Sequence, residues 1–181
     1  MGMASRDQVL VWVDLEMTGL EPTSCAIIEM AMVLTDYQLN RLAPPLNTVI
    51  WQPDAVLQTM SPFVTDMHTQ SGLLTKVRAS KTSLEDAEKQ ALALLTSHAS
   101  YRTARLCGNS VWQDRRFLTA YMPAFEKYLH YRQIDVSTLK ELGQWWYSSK
   151  YTKAEGAKHT ALFDIEQSIE ELAFYRKTIF K

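Results

Sequence analysis

Apolar residues run almost unbroken through Gln8–Leu15 (QVLVWVDL), a segment rich in Val, Leu and Trp that predicts a buried strand. Ile27–Thr35 predicts a second strand and Thr48–Trp51 the end of a third. Between the first two, Thr18-Gly19-Leu20-Glu21-Pro22-Thr23-Ser24 carries turn residues and reads as a loop. The period then changes. Thr82-Ser83-Leu84-Glu85 is a capping-box pattern, and Leu84, Ala87, Ala91, Leu94 and Leu95 recur at helical spacing, which predicts a helix to about His98. Arg105–Gly108 reads as a short central strand. Helices are predicted from near Gln113, over Val136–Trp146 and over Ala161–Phe180, the last with Leu162, Ile165, Ile169, Leu172 and Ala173 on one face. Tyr147–His159 is polar and basic and predicts a flexible stretch, as does the N-terminal tail 1–7. Strands first, then strands alternating with helices, predict one α/β domain with a mixed sheet flanked by helices.

The chain has 181 residues, 46% hydrophobic and 22% charged, enough for one packed core and too apolar for wholesale disorder. Its net charge is −1, which argues against tight, sequence-blind binding to long duplex nucleic acid. The charge is divided, however. Residues 1–100 hold 6 basic and 11 acidic side chains, and residues 101–181 hold 13 and 9. An acidic half facing a basic half suits a site where cations and an anionic substrate meet. No apolar run is long enough to span a membrane, and the start has neither a signal core nor the composition of a transit peptide. Cys25 and Cys107 form no metal or redox motif. A cytoplasmic protein is expected.

Asp14 and Glu16 stand two residues apart at the end of the first strand, so both side chains share a face. A hard cation such as Mg²⁺ or Mn²⁺ relieves the repulsion of such a pair. On this spacing alone, a strand end that reaches solvent explains the pair at least as well. Asp114 lies in the polar segment GNSVWQD (108–114), where Asn109 or Ser110 can serve simply as a helix N-cap. His159 and Asp164 open the terminal helix, and Asp164 lies close to its apolar stripe, where an unpaired acid is costly.

DLEMTGL (14–20), MHTQSGL (67–73), GNSVWQDRRFL (108–118), HYRQIDVSTLKEL (130–142) and HTALFD (159–164) together resemble the oligoribonuclease family, from about Val9 to Phe180. That family comprises 3′→5′ exonucleases of the Asp-Glu-Asp-Asp-His class with a ribonuclease-H-like fold. The resemblance implies that Asp14, Glu16, Asp114 and Asp164 hold two divalent ions, Mg²⁺ or Mn²⁺, and that His159 is the general base. It further implies that Leu20 and Phe63 hold the bases of a very short RNA substrate, with His68 as a phosphate contact. Ser110, Tyr131, Arg132, Ser137 and Thr138 would cap the 5′ end, with Tyr131 reaching in from the other subunit of a homodimer. Phe63 departs from the family, where Trp is commoner, and a core anchor for a short helix is its competing reading. Trp112 is a second departure, while Asp135, His98 and His130 read as structural. A longer-substrate proofreading or trimming exonuclease of the same class is an alternative, as is a non-catalytic nucleotide-binding protein. Loss of an acid or of the histidine would signal the latter, and all five are present.

Overall fold

β1 (Val9–Met17) occupies the centre of a five-stranded sheet, because its first five residues are all apolar and can be buried on both sides. The protein is described from a computed structural model covering residues 6–152 and 160–180. The other strands are β2 (Ile27–Asp36), β3 (Leu46–Val49), β4 (Arg105–Gly108) and β5 (Gln133–Asp135). Their order is β3-β2-β1-β4-β5. β1–β2 and β2–β3 pair antiparallel, while β1–β4 and β4–β5 pair parallel. This is the mixed sheet that the sequence predicts.

The helices are α1 (Asp54–Leu57), α2 (Pro62–Gln70), α3 (Leu73–Ala79), α4 (Leu84–His98), α5 (Trp112–Tyr121), α6 (Pro123–Tyr128), α7 (Val136–Tyr147) and α8 (Ala161–Thr178). Side-chain alternation along β1 sorts them into two layers. Val9, Val11, Val13 and Leu15 pack with Ala91 and Leu95 of α4, Phe117 of α5 and Phe125 of α6. Leu10 and Trp12 pack instead with Val136 of α7 and Ala161, Ile165 and Tyr175 of α8. Asp14 and Glu16 continue this second parity and so face the α8 side. Gly143 lets α7 approach α8, since a Cβ there would lie 2.8 Å from Ile179 Cδ1.

Several expectations change. Ser83, not Thr82, caps α4: its Oγ accepts the Asp86 N–H at 3.0 Å and donates to the Asp86 carboxylate at 2.7 Å. Thr82 is occupied elsewhere, its carbonyl accepting the Trp51 N–H. Residues 6 and 7 are not a loose tail. The Arg6 guanidinium donates to the carbonyls of Thr96, Ser97 and Ala99, which the end of α4 leaves without helical partners. Residues 1–5 and 153–159, the latter including most of the predicted flexible stretch, lie outside the described residues.

α8 buries Ala161, Ile165, Gln167, Ser168, Glu171 and Tyr175. Leu162, Ile169 and Leu172 are only partly buried, so the predicted apolar stripe sits beside the deepest line of contact. The short helices α1–α3 have no counterpart in the expected elements. They cover Ile28 with Leu57, Leu73, Leu74 and Val77 in a small separate cluster. Among the described residues no helix is long and apolar enough to cross a membrane.

Candidate active site

Three elements converge at the C-terminal end of β1. The strand itself brings Asp14 and Glu16, α5 brings Asp114 in its first turn, and α8 brings Asp164 in its first turn. One carboxylate oxygen from each of Asp14, Glu16 and Asp164 lies within 4.8 Å of the others. Asp114 stands outside this trio; its Oδ1 accepts the Leu15 N–H at 2.9 Å, which fastens the start of α5 to β1.

Burial and mutual repulsion dominate the electrostatics of Asp14 and Glu16. Burial, followed by the charges of Asp114, Glu16, Asp164 and Glu29, raises the Asp14 carboxyl well above its usual range. Burial and then Glu29 push Glu16 to about 7, and burial likewise pushes Asp114 to about 7. Glu29 is opposite Glu16 in the β1–β2 register and is itself buried. It is not among the residues singled out from the sequence, where its one signal is an acid inside the apolar run IIEMAM (27–32).

Carboxylate oxygens at this spacing suit a hard divalent cation, whose oxygen ligands lie about 2.0–2.6 Å from the ion. The raised proton affinities are a second reason, because an ion would replace the protons that the acids otherwise need. Asp14, Glu16 and Asp164 are the residues that could hold it, with Asp114 adjacent.

The loop after β1 is tightly built. Thr18 pairs with Ala26 twice, N–H to carbonyl and Oγ1 from N–H, both at 2.9 Å. A Cβ on Gly19 would lie 2.7 Å from Cys25 Sγ, so only glycine fits without displacement. The loop tip is braced against α5. The Leu20 carbonyl accepts from Gln113 and Arg116, and Arg116 pairs with Glu21 at 3.1 Å. The Leu20 side chain is 72% exposed. Phe63, on the first turn of α2 after the Ser61 cap, is 76% exposed, which removes the core-anchor reading.

His68 lies beside the acid cluster. The ring is buried, with Nε2 3.0 Å from the Met17 carbonyl and Nδ1 3.9 Å from Glu16, so it braces the end of β1 rather than lying open to a phosphate. Burial lowers its pKa.

Ser110 and Ser137 meet, their hydroxyls 3.2 Å apart, where the end of β4 abuts the start of α7. Neither Asn109 nor Ser110 caps α5, which begins without a side-chain cap. Thr138 is exposed one residue further on. Tyr131 is 73% exposed, stacked on His130 at 4.5 Å, with the Arg132 guanidinium 5.3 Å from its ring centre. Trp112 is also exposed, with Arg116 beside its ring. His159 lies outside the described residues.

Comparison with known proteins identifies the family. Residues 11–172 match the RNase T family, described as exonuclease. An oligoribonuclease of Francisella tularensis subsp. tularensis (strain WY96-3418) is 48% identical over 177 residues, covering 98% of each chain. That of Azoarcus sp. (strain BH72) is 47% identical over 180 residues, covering 99% of each. Among solved structures, the zinc-bound form of an E. coli exonuclease I–single-stranded DNA complex superposes with a TM-score of 0.74 at 14% identity, over 95% of this chain. The chain spans 41% of that exonuclease, and the likeness establishes the ribonuclease-H-like fold alone. With near-full-length identity to these relatives and a family match across most of its length, the chain belongs to the oligoribonuclease family and is an exoribonuclease.

Proposed function

We propose that the protein hydrolyses very short RNA oligomers, dinucleotides above all, in the 3′→5′ direction to 5′-mononucleotides. The observation that carries this reading is the acid cluster at the end of β1, flanked by the strongly exposed Leu20. Leu20 and Phe63 offer apolar surface to the bases of a two-residue substrate, where stacking on Phe63 is worth about 1–3 kcal/mol. Arg132 grips the terminal 5′ phosphate as a charge-assisted donor, and Ser110, Ser137 and Thr138 complete the cap around it. Tyr131 serves the neighbouring subunit of a homodimer.

Asp14, Glu16, Asp114 and Asp164 would hold two divalent ions, Mg²⁺ or Mn²⁺, which supply activation of water and neutralisation of charge in an in-line displacement. His159 accepts the proton of the attacking water, since a neutral imidazole is available near pH 7. The site acts in the cytoplasm on the last fragments of RNA decay. Phosphates beyond the cap add little, because a longer strand must displace the cap's hydrogen bonds to pass.

Specificity constants for oligomers of two to five nucleotides, and for a 20-mer, test the proposal. They should fall steadily with length, and Arg132→Ala should narrow the gap by harming the dinucleotide most. A flat or rising series would leave a longer-substrate exonuclease as the better description.

A further inference from the structure

A chain of hydrogen bonds, part-buried around Asn109 and exposed at its far end, leads from α8 to the two serines of the cap. Ser110 holds a left-handed backbone, φ 51°, that serine seldom adopts. Its N–H is shared between Asp135 Oδ1 and Ser137 Oγ, each at 2.9 Å. Ser137 in turn donates its hydroxyl proton to Asn109 Oδ1 at 3.1 Å. The other end of that amide, Asn109 Nδ2, donates to Ser168 Oγ at 2.9 Å and to Glu171 Oε2 at 3.1 Å.

Donor and acceptor counting leaves the amide one orientation. Ser168 has already given its proton to the Asp164 carbonyl at 2.8 Å, so toward Asn109 it can only accept. Glu171 is buried and takes the Tyr175 hydroxyl on its other oxygen. Reversing the amide would set Asn109 Oδ1 against two acceptors inside the protein and leave all three without a donor between them. Asn109 Oδ1 therefore faces Ser137 and claims its proton. The Ser137 hydroxyl then has no proton to offer a phosphate, whereas the Ser110 hydroxyl has no partner besides Ser137 Oγ among the described hydrogen bonds.

We propose that Asn109, oriented by Ser168 and Glu171, is a positioning residue for the 5′-phosphate cap. In this arrangement Ser110 is the serine that donates to the phosphate, and Ser137 acts through it. Ser168 lies one turn beyond Asp164, so the same bonds tie the cap to the helix that carries an acid of the metal cluster. The inference rests on the cap reading proposed for Arg132 and its neighbours.

The test uses the full chain with Mn²⁺ and compares a 5′-phosphorylated dinucleotide with its 5′-hydroxyl counterpart. The ratio of their specificity constants should drop about tenfold in Ser110→Ala and in Asn109→Ala, mainly through KM, as the loss of one charge-assisted hydrogen bond implies. A merely structural role would lower kcat on both substrates and leave the ratio alone. Ser110→Ala and Ser137→Ala should also be coupled, the double variant losing no more than the worse single one; this arm stands even if Asn109→Ala does not fold. Losses that add would make both serines direct donors and overturn the proposal. Arg132→Ala separates the two levels. A ratio unchanged in Arg132→Ala overturns the cap reading and this proposal with it. A ratio that collapses in Arg132→Ala but survives in Asn109→Ala overturns the proposal alone.

Discussion

Odd and even positions of β1 point into two different kinds of protein. On the odd side, Val9, Val11, Val13 and Leu15 pack against apolar side chains of α4, α5 and α6. On the even side, Leu10 and Trp12 give way to Asp14 and Glu16, and the neighbouring layer contains the buried Glu29, Ser168 and Glu171. The odd face lowers the free energy of folding by removing hydrocarbon from water. The even face opposes folding locally, because its acids are pushed together and partly desolvated. One strand thus carries both the stability of the molecule and the strain on which its chemistry depends, separated by one residue of register.

The largest effects should come from exchanging these roles. Asp14→Asn keeps the shape of the side chain and removes a charge from the cluster. Turnover should fall on the order of 10³-fold or more, since the acids act together on bound cations. With chelator present, the same variant should melt at a higher temperature than the parent, because a like charge has gone. Calorimetry in EDTA beside a dinucleotide assay reads both; a variant that is less stable as well as less active would mean that Asp14 holds the fold rather than the reaction.

Phe117→Ala performs the converse experiment on the odd face. Phe117 is wholly buried, and its removal should cost about 3–5 kcal/mol of stability. Once corrected for the folded fraction, turnover should stay close to that of the parent. Loss of turnover in fully folded protein would show that the two faces are coupled more tightly than alternation implies.

How much of this was legible in the sequence follows the same division. The odd face announces itself, since alternating and helical periods of apolar residues are burial written into the chain, and β4 is found with its observed bounds. Asp14, Glu16 and Asp164, three of the four acids that the motif blocks single out, lie together at the end of β1. The even face hides its remaining parts. Glu29 sits inside an apolar run, and Gln167, Ser168 and Glu171 interrupt the pattern of α8, so periodicity reads them as noise. Their burial depends on partners far along the chain, such as Asn109 for Glu171, and no local pattern specifies such pairs. The short helices α1–α3 escape for another reason: each is too brief for a 3.6-residue period to establish itself, although Ser61-Pro62 is a readable start signal.

A pH titration sharpens the contrast at intermediate magnitude. The folded-state pKa values of Glu16 and Asp114, about 7 each, lie above the ordinary 4.5 and 3.8. The folded chain therefore binds more protons than the unfolded one between about pH 4 and 7. In chelator, stability should fall as pH rises through that window and level off above it. The fall should total a few kcal/mol, since each tenfold gain in proton affinity on folding is worth about 1.4 kcal/mol. Saturating Mn²⁺ should reverse the slope, because the cation then competes with the protons. Urea midpoints at pH 5, 6, 7 and 8, with and without metal, measure this directly; a chelated protein equally stable at pH 5 and pH 8 would contradict the electrostatic account of the even face.

The smallest effect tests whether the odd-face layer is built from independent local devices. Ser83 caps α4 at the edge of that layer, accepting the Asp86 N–H and giving its own proton to the Asp86 carboxylate. The same carboxylate lies in the first turn, where it opposes the positive end of the helix dipole. Ser83→Ala removes both hydrogen bonds but leaves Asp86 exposed to water, so no buried group is orphaned. The expected loss is about 1 kcal/mol, the usual worth of such a cap. Because α4 meets the sheet through Ala87, Ala91 and Leu95 on the odd side alone, none of that loss should reach the acids. Turnover, metal affinity and the chelated pH slope should all match the parent while the urea midpoint shifts down. A change in metal affinity would mean that the end of α4 and the end of β1 move together, and that the two faces are not the separate compartments their side chains describe.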